Sequence, residues 1–233
     1  MLSTLILLII AQTLIGVGVH FIPVGGAPAA LSTTAGVPTG APMITIGMGI
    51  TGILVTSSVI GNPIPIVLLS GMSASMLMMA ITMFFSNLVH VYGVGVTIAS
   101  SAFKKDPLTS FKQEEYVSPG TTGHGIPTIS FISGLIGSLL GGLGGSLLYV
   151  TIYTVLTSTV SYINQAGIIS ALLTLLVFFV VAVMSSYNIG GTIQGFFDKK
   201  FKSKIKSGFM ASLLTSILVA VIYIIILGGL IYG

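Results

Sequence analysis

Apolar residues run through this chain in long blocks, and polar residues gather between the blocks. A helix needs about 20 mostly apolar residues to cross a bilayer, because each adds about 1.5 Å against a hydrocarbon core of about 30 Å. Six stretches meet that requirement: Leu2–Ile22, Met43–Gly61, Ile64–Ala102, Ile129–Tyr162, Gly167–Phe197 and Gly208–Tyr232. The third is about twice a crossing, and its Tyr92-Gly93-Val94-Gly95 favours an interrupted helix over one overlong tilted helix. Between the first two spans, Pro23–Pro42 carries Pro23, Pro28, Pro38 and Pro42, which predict no regular helix there. That stretch is uncharged, so it is free to dip into the membrane where protein or water covers its backbone. Asn62-Pro63 ends the second span, Pro65 suits the first turn of the third, and Asn164-Gln165 makes a polar turn between the fourth and fifth. The expected architecture is all-α: a polytopic membrane helix bundle of about six spans forming a single transmembrane domain over residues 1–233.

Charge sharpens this picture. Only 5% of the 233 residues are charged and 54% are hydrophobic, against about 25% charged in a typical soluble domain. No Lys, Arg, Asp or Glu occurs before Lys104, or in the 82 residues from Tyr116 to Phe197. All charge lies in Lys104–Glu115, with three lysines and three acids, and in Asp198–Lys206, with five lysines and one acid. The basic balance therefore reports topology and not nucleic-acid binding. Two loops are expected, at about residues 103–128 and 198–206. They follow the third and fifth spans, so a six-span chain places both on one side. The positive-inside rule makes that side cytoplasmic and puts both termini outside. Leu2–Ile22 is expected to be a retained span, since a cleaved signal needs a basic residue ahead of its apolar core. The absence of Cys excludes disulfides, thiolate metal sites and S-palmitoylation. The absence of Arg counts against a voltage sensor.

Two short patterns recur. Thr33-Thr34-Ala35-Gly36-Val37-Pro38-Thr39 matches Thr121–Thr128 with His124 as an insertion, and Tyr92–Ile98 resembles Tyr187–Ile193. Their offsets, 88–89 and 95 residues, are similar. This order suggests a duplicated two-span unit, with spans two and three matching spans four and five around a pseudo-twofold axis. Ser118–Thr128 and its echo at Thr33–Thr39 then open on the same side as two similar loops. Loops on opposite faces would defeat that reading.

Residues able to carry chemistry are few. In the fourth span Gly137, Gly141 and Gly145 recur every four residues, as do Gly134, Ser138, Gly142 and Ser146. Small residues at that spacing let helix backbones touch, and close packing is a more economical explanation than a cavity wall. No acidic side chain falls within a predicted span, so a cation at membrane depth would meet only neutral oxygens. Asn87, Asn188, Thr192 and Gln194 are the candidates for lining an ion path, with interhelical hydrogen bonding as the plainer alternative. Gln12 and His20 are the strongly polar side chains of the first span. His20, His90 and His124 show no metal-ligand spacing. Gly123, His124 and Gly125 form a candidate partner-facing loop. No catalytic motif, cofactor-binding motif or metal-binding cluster stands out.

Three segments carry a family resemblance: Val37–Met43, the loop Tyr116–Thr128, and Tyr187–Ile193. With these, the whole chain resembles the D-subunit family of tetrahydromethanopterin S-methyltransferase, a membrane complex of methanogenic archaea. The resemblance implies a complex that moves a methyl group from methyl-tetrahydromethanopterin to coenzyme M, through a corrinoid held on another subunit. It implies coupling to Na⁺ export and partnership with the C and E membrane subunits within the lipid bilayer. It transfers no catalytic residue to this chain. The expected function is a non-catalytic membrane component helping to form the Na⁺ path. The alternatives are a structural scaffold of that complex or an independent transporter of a small neutral solute.

Overall fold

The computed structural model describes residues 2–22, 36–94, 105, 108, 110, 126, 128–159, 165–189 and 199–232. Six long helices occupy nearly all of these: α1 Leu2–Phe21, α2 Gly36–Ser58, α3 Ile64–Leu88, α4 Thr128–Thr159, α5 Ala166–Ile189 and α6 Lys199–Tyr232. Among the described residues there is no named strand. Helices are the fitting solution for such a sequence, because lipid offers a backbone no hydrogen-bond partner and a helix satisfies its own. Five of the six have an apolar segment long enough to span a membrane. The sixth, α2, is 23 residues long and contains a shorter apolar segment, Thr45–Ser58.

The side chains are sorted as a membrane requires. Leu69, Leu77, Phe84 and Phe85 of α3, and Leu214, Leu218 and Ile225 of α6, point outward and are exposed. Hydroxyl side chains face inward: Thr56, Ser75, Ser146, Ser170, Thr174, Ser212 and Ser216 are buried. Water would favour the opposite arrangement, whereas in lipid the apolar exterior is solvated and the polar groups must find partners inside.

Contacts between helices fix their directions. Gly18 and Phe21 of α1 meet Gly137 and Ser133 of α4, while Ala11 meets Gly144, so α1 and α4 are antiparallel. Asn87, Ser75 and Gly71 of α3 meet Ile126, Gly142 and Ser146 in that order, so α3 is antiparallel to α4 as well. Gly49 of α2 shares the Phe178 ring with Gly141, and Thr56 bonds Ser146, so α2 runs parallel to α4. Tyr149 lies near Gly167, and Gly141 and Gly145 near Phe178, so α5 reverses again. Gly16 meets Ser212 and His20 meets Gly208, which sets α6 antiparallel to α1. The six helices therefore alternate. One end of the bundle holds Phe21, Gly36, Leu88, Thr128, Ile189 and Lys199; the other holds Leu2, Ser58, Ile64, Thr159, Ala166 and Tyr232. Both charged segments depart from the first end, and α2 and α4 begin there together. Helices α2 to α5 also form a closed ring of neighbours, α2 on α3, α3 on α4, α4 on α5 and α5 on α2. Exchanging α2 with α4 and α3 with α5 leaves that ring unchanged. Outside it, α1 packs along α4 and reaches α5 and α6.

Three boundaries differ from expectation. Helix α2 begins at Gly36, so its first turns contain Pro38 and Pro42, where no regular helix was expected. Pro38 is the third helical residue, where the N–H has no intrahelical partner to lose. Pro42 forfeits one bond, a loss that membrane helices tolerate in the company of neighbours. Helix α6 begins at Lys199, so Lys199–Lys206 forms helical turns and not a loop. That segment contains no Gly or Pro, lysine is a good helix former, and a helix can continue past the hydrocarbon edge. The third span changes character at Val89, where regular α pairing gives way to a single π-helical turn, Val89–Val94. Its interruption starts just before Gly93.

Candidate functional site

Helix α4 is the organising element, and its glycines contact different neighbours. A Cβ on Gly137 would lie 2.6 Å from the Gly18 carbonyl oxygen, and one on Gly18 would lie 2.6 Å from that of Gly137. The backbones of α1 and α4 touch there. Gly144 continues this seam, approaching the Ala11 carbonyl oxygen at 2.5 Å from the Cβ position. Gly142 turns to Ser75 of α3, while Gly141 and Gly145 admit the Phe178 ring of α5. Gly134 is buried. The sequence pattern thus serves three interfaces at once, because a four-residue repeat spreads gradually around a helix of 3.6 residues per turn.

On the α2–α3 side of α4, polar groups are mutually satisfied. Thr56 donates to the Gly52 carbonyl at 2.7 Å, and its oxygen is 2.8 Å from that of Ser146. Ser146 lies 2.8 Å from the Gly142 carbonyl, and Ser75 donates across the interface to the Met48 carbonyl at 3.1 Å. Gly52 packs on Ser75, and Gly71 on Ser146 and Thr56, so closely that a methyl group at either would collide. This is a closed joint.

The α1–α5–α6 side is different. Gln12 is fully buried, and neither its amide nitrogen nor its amide oxygen has a hydrogen-bond partner. The hydroxyls of Ser185, Ser212, Ser170, Thr174, Tyr149 and Tyr223 are also buried without partners. Two of these hydroxyls meet at one place. A Cβ on Gly16 would lie 2.6 Å from the Ser212 hydroxyl and 2.8 Å from that of Ser185. Gln12 stands one turn away on the same face of α1. His20 stands one turn in the other direction: its Nδ1–H donates to the Gly16 carbonyl at 2.7 Å, and its ring rests on Gly208. Gln12, Thr174, Tyr149, Ser170 and Tyr223 sit on helix positions nearer the opposite end than Ser185 and Ser212. Each such group costs about 1–3 kcal/mol if it stays unsatisfied, so their accumulation needs a reason.

Asn87 lies elsewhere. Its Nδ2 donates to the Ile126 carbonyl at 2.8 Å, and its Oδ1 accepts the Ile126 N–H at 2.6 Å. This two-way amide pairing straps the chain entering α4 to the end of α3. Asn188 falls in the last turn of α5, at the same end of the bundle, with its side chain outside the described residues. Thr192, Gln194, Gly123, His124 and Gly125 also lie outside the described residues. Among the described residues no group of three His, Asp or Glu side chains is placed to hold a metal. Reading the sequence alone missed Ser212 altogether. Its signal is the run Ser212, Ser216 and Ala220, spaced by four in the last span, with Ser170 and Thr174 repeating the spacing in α5.

An apolar shell around six alternating helices, with hydroxyls and glycines inside and charge confined to one end, defines a polytopic membrane protein. Comparison with known sequences narrows the class. The family profile that describes the D subunit of tetrahydromethanopterin S-methyltransferase matches residues 1–216. The D subunit of that enzyme from Methanothermobacter thermautotrophicus is 50% identical over 189 residues, 80% of each chain. The D subunit from Methanopyrus kandleri is 43% identical over 200 residues, 86% of each chain, and that from Methanocaldococcus jannaschii is 44% identical over 205 residues, 84% of each. The chain belongs to the D-subunit family of tetrahydromethanopterin S-methyltransferase.

Proposed function

We propose that this chain helps form the path by which Na⁺ is exported as a methyl-tetrahydromethanopterin:coenzyme M methyltransferase complex turns over. Family membership supplies the complex. The observation that supports an ion path is the number of neutral, buried, unpartnered oxygens that α1, α4, α5 and α6 carry. Na⁺ is a hard cation that accepts such ligands. The chain itself performs no methyl transfer in this reading; the corrinoid sits on another subunit, and the apolar outer faces meet lipid and the C and E membrane subunits. The end that carries the charged segments faces the cytoplasm by the positive-inside rule, with both termini outside. In this reading Asn87 and Asn188 line the cytoplasmic mouth, Thr192 and Gln194 are further candidates from the sequence, and Asn87 also holds the approach to α4. Moving one charge against the membrane potential costs about 2.3 kcal/mol per 100 mV, so the path must open only when methyl transfer drives it.

The competing reading is a scaffold that never meets the ion, and the closed α2–α3–α4 joint is the feature that favours it. Asn87→Leu and Asn188→Leu in the purified complex, reconstituted in liposomes, separate the two. The quantity measured is ²²Na⁺ moved per methyl group transferred. A lowered ratio in an intact complex is expected; an unchanged ratio in both variants favours the scaffold.

A further inference from the structure

We propose that the first turns of α6, Lys199–Lys206, form a docking surface for the headgroups of anionic phospholipids at the charged end of the bundle. Five of these eight residues are lysines, Lys199, Lys200, Lys202, Lys204 and Lys206, and a single acid, Asp198, adjoins them. The other charged segment, Lys104–Glu115, balances its three lysines with three acids. The whole net charge of +4 therefore resides at the start of α6. The segment is helical, so its lysines hold fixed heights and angles on a continuous rod. The part of that rod apolar enough to cross hydrocarbon is Lys206–Ile226, 21 residues, or about 31 Å. The turns from Lys199 to Ile205 add about 10 Å, against a headgroup layer of about 5–7 Å on each face of a bilayer. The lysine positions thus span the headgroup layer.

The face on which they fall favours lipid. Gly208 and Ser212 of α6 pack against His20 and Gly16 of α1, and Phe201 and Ile205 precede them at helical spacing on the same line. On the opposite side of α6, Met210, Leu214, Leu218 and Ile225 are exposed. By helical register Lys199, Lys200 and Lys206 belong to that outward stripe; Lys206 comes four residues before Met210 and is itself exposed. One stripe of one helix is therefore apolar at hydrocarbon depth and cationic at headgroup depth. A phospholipid has the matching order, an acyl chain below a phosphate. A lysine stem can lie along apolar surface while its ammonium reaches outward as a compact charge. Lysines placed beside a membrane span raise affinity for an anionic surface by about fivefold each. An acidic protein surface would account for the lysines but not for their continuity with the hydrocarbon-facing stripe.

The test reconstitutes the purified full chain in phosphatidylcholine vesicles doped with spin-labelled phosphatidylglycerol or, separately, spin-labelled phosphatidylcholine. The fraction of each lipid held immobile at the protein is read by electron spin resonance. The parent chain is expected to prefer phosphatidylglycerol severalfold at low salt, and the preference is expected to shrink as salt rises above about 0.15 M, where exposed charges are screened. Combining Lys199→Gln, Lys200→Gln and Lys206→Gln is expected to remove most of the preference. Arginine at the same three positions is expected to keep it, because the charge is retained. A parent chain with no preference at low salt overturns the proposal without recourse to any variant. A preference that survives the glutamine substitutions overturns it as well, since the bound lipid then lies elsewhere. The intact complex supplies the last arm. If the glutamine variant sheds partner subunits while the isolated parent chain shows no lipid preference, the lysines meet an acidic protein surface and the lipid reading fails.

Discussion

The two sides of α4 are built from the same residue types and reach opposite states. Toward α2 and α3, each of Thr56, Ser75 and Ser146 has a hydrogen-bond partner, and glycine backbones close the remaining space. Toward α1, α5 and α6, the hydroxyls of Ser185, Ser212, Ser170 and Thr174 and the amide of Gln12 have none. Glycine serves both sides, but differently. Gly71 and Gly142 bring close hydroxyls that have hydrogen-bond partners, whereas Gly16 brings close two hydroxyls that have none. The difference shows that small, hydroxyl-rich helices do not by themselves mean tight packing or a cavity. What decides is whether the hydroxyl on one helix meets an acceptor on the next.

The comparison breaks most severely at the seam that holds α1 against α4. Both sides depend on it, because α1 carries Gln12 and Gly16 while α4 carries Ser146. A leucine at Gly137 would drive its Cβ to 2.6 Å from the Gly18 carbonyl oxygen, a backbone atom with no rotamer to escape into. Overpacking ordinarily costs about 1–3 kcal/mol and more where nothing can move, so Gly137→Leu is expected to reach at least about 3 kcal/mol. Thermal unfolding of the full chain in detergent should show a large drop in Tm, with loss of the variant from the assembled complex. A Tm close to that of the parent chain would mean the α1–α4 contact is not a backbone contact.

A smaller change, of opposite sign, probes the unpartnered side. Gln12→Leu replaces two orphaned buried polar atoms by a side chain of similar volume. Relieving such groups is worth about 1–3 kcal/mol, so the variant should unfold at higher temperature than the parent in Na⁺-free buffer. A lowered Tm would show that Gln12 has a structural partner and that the two sides of α4 are more alike than they look.

Much of the bundle was legible in the sequence, because span length is set by bilayer thickness and an apolar run needs no partner to be recognised. That rule gave Leu2–Ile22, Ile64–Ala102 and Gly167–Phe197, and the described helices in those stretches are Leu2–Phe21, Ile64–Leu88 and Ala166–Ile189. The two charged segments fixed a common end for the third and fifth spans before any contact was known. The start of α6 was hidden because charge was read as a loop signal, although Lys199–Lys206 lacks any helix-breaking residue. The start of α2 was hidden because Pro38, in the first turn, loses no hydrogen bond and Pro42, in the second, loses only one, while the same residues deeper in a helix cost much. In the site, the glycine rows of α4 were visible as a pattern, but not their division among α1, α3 and α5. Asn87 stood out as polar, though nothing local showed that its amide would be taken up by Ile126 across the bundle. Ser212 was invisible for the converse reason: one serine in an apolar helix looks the same whether or not an acceptor faces it.

The finest test of the contrast lies on the satisfied side. Thr56→Val keeps the shape of the side chain and removes the hydroxyl that bonds Gly52 and faces Ser146. Ser146 retains its contact with the Gly142 carbonyl, so the substitution leaves no polar side chain orphaned. Interhelical hydrogen bonds of this kind in membrane proteins average about 0.6 kcal/mol, and the loss should be of that order. Chemical unfolding of the full chain, compared with its Ser146→Ala and double variants, measures it as a coupling energy. A coupling near zero would mean that glycine contact alone closes the joint and the hydroxyls merely fill it. A coupling well above about 1 kcal/mol would mean that hydrogen bonding holds the joint shut, and then the missing partners at Ser185 and Ser212 become the more informative difference.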